Sequence, residues 1–166
     1  MRGPWLRGRK GDILSFEMTR DYDALARRAA RNGDRAARMQ DVADLLWEAL
    51  RPTGVSWLGF YLHDGAKTLV LGPRRDKPAC SPIGLHGACG RAFRDRAPFV
   101  VRDVAELGAN YIACDPADRS EVVIPLFEAD GRCWGVFDAD SHEVGAFDAR
   151  DAAGLTAVLR AAGLTE

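Results

Sequence analysis

The order of the predicted elements indicates an α+β fold, in which helices cover one face of a central antiparallel β-sheet. Amphipathic helical patterns lie at both ends of the 166-residue chain, and the patterns between them are those of strands joined by tight turns. A chain of this length can bury one hydrophobic core. We therefore expect a single domain over residues 17–166, preceded by a partly ordered N-terminal extension over residues 1–16.

Two helices are predicted near the start of the chain and one at its end. The first lies in "TRDYDALARRAARNGD" and stops at Gly33, and the second begins after Asp34 and ends before Pro52. Asp148 and Asp151 open the last helix, where carboxylates can cap free backbone N–H groups. The second helix carries one apolar stripe, which predicts burial against the sheet: Ala36, Met39, Val42, Ala43, Leu46, Trp47 and Leu50.

Two hairpins and a shorter strand are predicted between the helices. "VSWLGFYLHD" and "KTLVLG" form the first hairpin around the turn "GA". Residues 73–87 are rich in proline, glycine and charge, which predicts a loop, and "GACGRAFRDR" after it predicts a short helix. "PFVVRDV" reads as a strand. "EVVIPLFEADGRCWGVFDADS" forms the second hairpin, with Asp130 and Gly131 at its turn.

The composition is that of a soluble globular protein and excludes several kinds of partner. Hydrophobic residues make up 47% of the chain, charged residues 28%, and the net charge is −1, so no global field favours nucleic acid or an anionic membrane. No apolar stretch approaches the roughly 18 residues of a membrane span. "MRGPWLRGRKGDILSF" lacks the apolar core of a signal peptide. We therefore expect a cytoplasmic protein with reduced thiols.

Three carboxylates are predicted to meet at one end of the second hairpin. Alternation along the strand places Trp134, Val136, Asp138 and Asp140 on one sheet face and Cys133, Gly135, Phe137 and Ala139 on the other. Pairing across the turn brings Glu121 close to the two aspartates. The acids either meet solvent at the strand end or enter a cavity, where mutual repulsion and desolvation keep a proton bound.

Such a cluster suits an ammonium group, a metal ion or a proton. A metal would favour histidine beside the carboxylates, and His63, His86 and His142 show no ligand spacing. We therefore expect no metal.

The four cysteines are Cys80, Cys89, Cys114 and Cys133, and no two form a C-x-x-C pair, so no zinc site or thioredoxin-like motif is indicated. A short loop carries Cys114 to the same sheet end as Glu121. Its thiol is either buried filler or a reactive group. Nearby carboxylates raise a thiol's pKa, whereas Arg119 in the same loop favours the thiolate.

Two aromatic residues of the first hairpin share a sheet face. Trp57 and Tyr61 are four residues apart on one strand, and their rings can wall a small pocket that holds a thioether or a cation. Phe60 points to the other face and is expected in the core.

Together these residues resemble the free methionine-(R)-sulfoxide reductases, single-domain enzymes of the GAF fold. The resemblance covers about residues 20–163. It is carried, in order, by "SWLGFYL", "LVLGPRRDKPAC", "GACG", "IACDPADRSEVVIPL", "GVFDADS" and "GAFDARDAAGL". It implies that the helices pack on one sheet face and that a ligand pocket lies under loops on the other.

The resemblance also implies roles for individual residues. Cys114 takes the catalytic position, and Cys80 and Cys89 the two recycling positions. Cys133 matches no family cysteine. The substrate pocket corresponds to Trp57, Tyr61, Glu121, Asp138 and Asp140. The implied reaction is reduction of free L-methionine-(R)-sulfoxide through a Cys114 sulfenic acid and an intramolecular disulfide.

Thioredoxin or a similar dithiol is the implied reductant, a homodimer the implied assembly, and no cofactor is implied. The segment "IGLHGACG" is one residue shorter than the family pattern and lacks its proline, and Tyr111 stands where the family often has histidine.

Two recycling candidates and two other functions stay open. Cys80 lies in a loop that can move toward Cys114. Cys89 lies at a helix start, where the dipole favours a thiolate. We favour Cys80. The alternatives to the enzyme are a non-catalytic GAF domain that senses a small molecule and a thiol redox switch without a sulfoxide substrate.

Overall fold

The computed structural model describes residues 19–111 and 114–166, so the predicted extension over residues 1–16 lies outside the described residues. The four α-helices are α1 (Tyr22–Arg28), α2 (Arg35–Leu50), α3 (Ala88–Asp95) and α4 (Ala149–Ala161). The six strands are β1 (Val55–His63), β2 (Thr68–Arg75), β3 (Ile83–Gly84), β4 (Phe99–Val101), β5 (Ser120–Phe127) and β6 (Cys133–Ser141). Short 3₁₀ segments cover Arg51–Thr53 and Val104–Asn110.

All six strands form one antiparallel sheet in the order β3-β2-β1-β6-β5-β4. The predicted α+β class and both hairpins are confirmed. The central pair joins β1 to β6, two strands from opposite ends of the domain. That pairing brings the aromatic strand beside the acidic strand.

The long helices cover one face of the sheet, as predicted. Asp34 and Asp148 cap α2 and α4, and the Asp148 side chain accepts from the backbone of Asp151 in a capping box. Helix α1 packs on α4, where the Tyr22 hydroxyl donates to Asp151 at 2.8 Å. The buried cluster under these helices includes Leu46, Leu58, Phe60, Ile124, Phe137 and Leu155.

The opposite face carries α3 and the irregular segments. A second buried cluster includes Trp57, Tyr61 and Cys89, and α3 packs over β5 and β6. The loop predicted over residues 73–87 is shorter than expected, because β2 extends to Arg75 and β3 adds a two-residue edge strand. Among the described residues, no helix is long and apolar enough to cross a membrane.

The predicted face of Trp134 is wrong. Gly135 pairs with Leu126 and Cys133 pairs with Phe127, so β6 has one more residue than β5 at this point. This β-bulge turns Trp134 to the helix face, where Arg35 of α2 lies 4.5 Å from its ring. Beyond the bulge the alternation is regular and the aspartates keep their predicted face.

Candidate active site

The three acids converge as predicted. Glu121 pairs with Asp140 and Val123 with Asp138 across β5 and β6, and carboxylate oxygens of the three acids lie within 4.8 Å of one another. Glu121 and Asp138 are buried, each about 6% exposed. Glu121 Oε1 and Asp138 Oδ1 have no hydrogen-bond partner among the described residues. Both residues line one pocket, where these oxygens can accept a hydrogen bond from a ligand.

The pKa values of these three acids are all raised, and burial is the main cause. Burial, and then Asp138, raises the pKa of Glu121 well above its ordinary value. Burial raises the pKa of Asp138 to about 7. Asp140 keeps more contact with solvent, yet burial and the neighbouring acids raise its pKa as well. Like charges this close cannot all ionise, so the cluster retains protons that a nearby positive charge could displace.

The aromatic wall is also where the sequence places it. The ring centroids of Trp57 and Tyr61 lie 6.1 Å apart, and both side chains are almost fully buried. The Trp57 indole donates to the carbonyl of Lys77 at 3.0 Å. The Tyr61 hydroxyl donates to the carbonyl of Cys80 at 2.9 Å. The wall therefore holds the loop that carries Cys80.

Cys114 lines the pocket, and Cys80 lies close to it. The Cys80 thiol is near enough to raise the pKa of the Cys114 thiol, while the Cys80 backbone lowers it. Both are free thiols, Cys80 exposed and Cys114 half-buried. Neighbouring thiols can form a disulfide with little backbone movement.

Burial and the Cys80 thiol raise the pKa of Cys114 to about 12. The Cys80 backbone opposes this rise, because it stabilises the thiolate. The predicted help from Arg119 is wrong, since its guanidinium turns to Asp103 at 3.9 Å. The thiolate therefore needs another positive charge nearby.

Cys89 occupies the floor of the pocket and not its mouth. Its thiol donates to Asp138 Oδ2 at 3.3 Å. Burial, then Asp138, raises the pKa of Cys89 well above its ordinary value. The expectation that the helix dipole favours a Cys89 thiolate is therefore wrong. A Cβ at Gly90 would lie 2.2 Å from the backbone of Leu85, so the second glycine of "GACG" permits the close approach that seats Cys89.

Sequence reasoning missed a charged cluster beside the pocket. The Lys77 ammonium pairs with the Asp115 carboxylate, and His142 Nε2 lies 3.4 Å from Asp115 and 3.6 Å from Asp118. Asp118 also accepts from Ser56 at 3.2 Å. The signal was the pair of turn aspartates directly after Cys114, whose partners come from distant segments. His142 thus joins acids that sequence spacing did not connect to it.

The enclosed part of the pocket between these groups is small, about 30 Å³, and the space counted together with its open mouth is about 440 Å³. The remaining wall consists of small and apolar groups from the Cys80 loop, β3 and α3: Ala79, Ile83, Gly87 and Ala88. The described lining contains four carboxylates and two tyrosines and no lysine or arginine. Such a cavity suits a small ligand with one cationic group.

Comparison with known proteins gives the family. A GAF domain model matches residues 36–165. The free methionine-R-sulfoxide reductase of Escherichia coli is 38% identical over 141 residues, which cover 84% of this chain and 80% of that protein. The chain belongs to the free methionine-R-sulfoxide reductase family of GAF domains.

Two further members show the extent of the similarity. The Neisseria meningitidis free methionine-R-sulfoxide reductase, solved in complex with its substrate, has 35% identity and a TM-score of 0.74, with 87% of each chain covered. The Saccharomyces cerevisiae free methionine-R-sulfoxide reductase is 35% identical over 115 residues, which are 66% of this chain. The chain spans just under two thirds, 63%, of the length of that yeast relative.

Tyr111 and Cys133 lie at different distances from the pocket. Tyr111 lines the pocket, and burial, then Asp118, raises the pKa of its hydroxyl. Cys133 sits at the other end of β6, about 16 Å along the strand from Asp138, where its thiol donates to Gly135 O at 3.4 Å. Cys133 is separated from the acids mainly by its distance along β6. Simple alternation predicts that the opposite sheet face would separate them.

Proposed function

We propose that this chain reduces free L-methionine-(R)-sulfoxide to L-methionine, with Cys114 as the nucleophile. The observation that carries the proposal is the Cys114 thiol placed between a second thiol and a closed group of three acids. A sensor domain needs the pocket but has no use for paired thiols at its mouth. Family membership supports the same substrate.

In the proposed first step the acids bind the ammonium of the substrate. This cation replaces a proton on the acid cluster and adds the positive charge that the Cys114 thiolate lacks in the free protein. Cys114 then attacks the sulfoxide sulfur, while Glu121 or one of the aspartates protonates the sulfoxide oxygen. The oxygen passes to Cys114, methionine leaves, and the proton released by the thiol returns to the acids. The thiol becomes a sulfenic acid and the sulfoxide becomes a thioether, so the oxygen balance closes.

The second step is condensation of the sulfenic acid with another cysteine. We propose Cys80, because its exposed thiol lies near enough to Cys114 to shift the pKa of that thiol, whereas Cys89 is buried and bonded to Asp138. Water leaves as the disulfide forms. A dithiol such as thioredoxin then restores both thiols by exchange. The thioredoxin partner, the cytoplasmic location and the homodimer stay predictions.

Selectivity for the free amino acid follows in this proposal from charge. A free ammonium compensates the acid cluster, whereas the amide nitrogen of a peptide or of N-acetylmethionine sulfoxide is neutral. Binding the acetylated compound would leave the acids without a cation. The (R)-sulfoxide would place its oxygen against the acids and its sulfur against Cys114, which the (S)-sulfoxide cannot do in the same pose.

The deciding assay couples thioredoxin to NADPH consumption with four compounds: the free R and S sulfoxides and their N-acetyl forms. We expect turnover with the free R sulfoxide alone. A sensor domain would bind without turnover, and a thiol switch would oxidise with peroxide but release no methionine. Cys114→Ser should abolish methionine release in a single turnover without reductant, and Cys133→Ser should not change it. Release at the wild-type rate from Cys114→Ser would overturn the assignment.

A further inference from the structure

Two loops carry the two thiols at the mouth of the pocket. The Cys80 loop, residues 76–82, follows β2, and the Cys114 loop, residues 114–119, leads into β5. The Cys80 loop is fixed to the sheet through its backbone. Trp57 donates to the Lys77 carbonyl at 3.0 Å, Arg74 to the same carbonyl at 3.3 Å, and Tyr61 to the Cys80 carbonyl at 2.9 Å.

A charged contact joins the Cys80 loop to the Cys114 loop. The Lys77 ammonium lies against the Asp115 carboxylate. Lys77 is three residues before Cys80, and Asp115 is one residue after Cys114. Asp115 is held for this contact by its own turn, in which it accepts from Ala117 N at 2.9 Å. His142, beyond the end of β6, approaches the same carboxylate at 3.4 Å. Two contacts other than the ion pair with Lys77 therefore hold the Asp115 carboxylate in place.

We infer that Lys77 is a positioning residue for recycling: its ion pair with Asp115 holds the Cys80 loop beside the Cys114 loop, so that the sulfenic acid is captured as a disulfide. The inference rests on the proposed function and adds to it a residue outside the pocket lining. Lys77 does not touch the space in which substrate would bind. Its effect is therefore expected on the step after methionine release and not on that release.

The mutual influence of the pair fits this role. Lys77 is the main reason that the pKa of Asp115 falls to about 2, and Asp115 in turn raises the pKa of Lys77. The Lys77 side chain is 42% exposed and the Asp115 side chain 21% exposed, so the pair adds little to the free energy of unfolding. A contact of this kind acts on which loop arrangement is populated. It also weakens with salt, because water and ions reach it.

The test separates the two steps in rapid-quench single turnovers without reductant. Methionine release is measured by chromatography, and the Cys80–Cys114 disulfide by mass spectrometry after thiol alkylation. In Lys77→Gln we expect release within twofold of wild type and disulfide formation slowed about fivefold, the change that a contact of about 1 kcal/mol produces. Lys77→Arg should restore the rate. Lys67→Gln is the matched control, because Lys67 is an exposed lysine beside the β1–β2 turn.

Two further arms distinguish positioning from a general structural effect. Raising the salt concentration should slow disulfide formation in wild type and leave Lys77→Gln unchanged. Lys77→Gln combined with Asp115→Asn should be no slower in disulfide formation than the slower single variant, because both changes remove one contact. Hydrogen peroxide replaces the sulfoxide in a parallel series, so the capture step is measured even without sulfoxide chemistry.

Each result has one meaning. Absence of methionine release from wild type refutes the proposed function, while slowed capture with peroxide in Lys77→Gln still supports the role of Lys77. Wild-type capture rates in Lys77→Gln with both oxidants overturn the inference and leave the proposed function intact. Equal slowing of release and capture also overturns it, since Lys77 would then act on the whole pocket.

Discussion

Replacing Asp138 by asparagine should stabilise the protein at alkaline pH while impairing its site. Asp138 is fully enclosed, and burial raises the pKa of its carboxyl from 3.8 to about 7. Between these values the unfolded chain has lost this proton while the folded chain retains it, so folding stability falls as pH rises. From pH 5 to pH 7 the span is about two pH units, or about 3 kcal/mol at 1.36 kcal/mol per unit. Asparagine keeps the shape and removes this loss.

Some of that gain is offset locally. The Asp138 carboxylate accepts the Cys89 thiol, and asparagine keeps this bond only if its single acceptor oxygen takes the same place. Its amide can in turn donate toward Glu121 Oε1, which has no partner among the described residues. Each such exchange is worth about 1 kcal/mol. The interval from 3.8 to 7 corresponds to about 4 kcal/mol in all, and the local offset applies at every pH, so we expect a net gain of about 3 kcal/mol at pH 8 and of less than about 1 kcal/mol at pH 5.

Urea unfolding followed by circular dichroism measures this difference at each pH. Asp41→Asn is the control, because Asp41 is an exposed residue on α2. The substrate KM of Asp138→Asn should rise, since the amide cannot pair with an ammonium. Equal falls in stability between pH 5 and pH 8 for wild type and Asp138→Asn would refute the reasoning, as would a variant less stable than wild type at pH 8.

Four other substitutions test the site. Glu121→Gln should lower kcat and kcat/KM together by about 10²–10⁴-fold if Glu121 supplies the proton; steady-state rates unchanged across pH 6 to 8 would exclude that role. Cys80→Ser should release one methionine per site and then stall under thioredoxin, while Cys89→Ser continues to turn over; the reverse pattern would make Cys89 the recycling residue. Gly90→Ala should lower the melting temperature in calorimetry, because its Cβ would overlap Leu85; a rise, as helix propensity alone predicts, would contradict that packing argument.

The acid cluster could be predicted from sequence because hairpin register is a local property. A turn at Asp130 and Gly131 places the start of β5 beside the end of β6, and the bulge at Trp134 sets the register in which Glu121 meets Asp140. The bulge at Trp134 could not be predicted, since one extra residue leaves the alternating pattern looking regular on both sides.

The contacts of Cys89 and Lys77 depend on how separate segments pack. Helix position suggested an activated Cys89 thiol, but the neighbour that decides its state is Asp138, 49 residues away. Lys77 meets Asp115 across 38 residues, and no spacing rule connects a loop lysine to a turn aspartate. The pattern of a single sequence gives the least information about contacts between two separate loops.

The acids that carry the two unpaired oxygens, Glu121 Oε1 and Asp138 Oδ1, would affect the enthalpy measured for ligand binding. If the acids surrender a proton when an ammonium arrives, association and proton release are one equilibrium. The measured enthalpy would then include the ionisation heat of whatever buffer takes up the proton, so phosphate and Tris would report different values for the same event. Affinity would strengthen as pH rises toward 7, the value near which Asp138 gives up its proton unaided. Because the acids are protonated before the ligand binds, the binding equilibrium would include a proton, and the affinity would depend on pH.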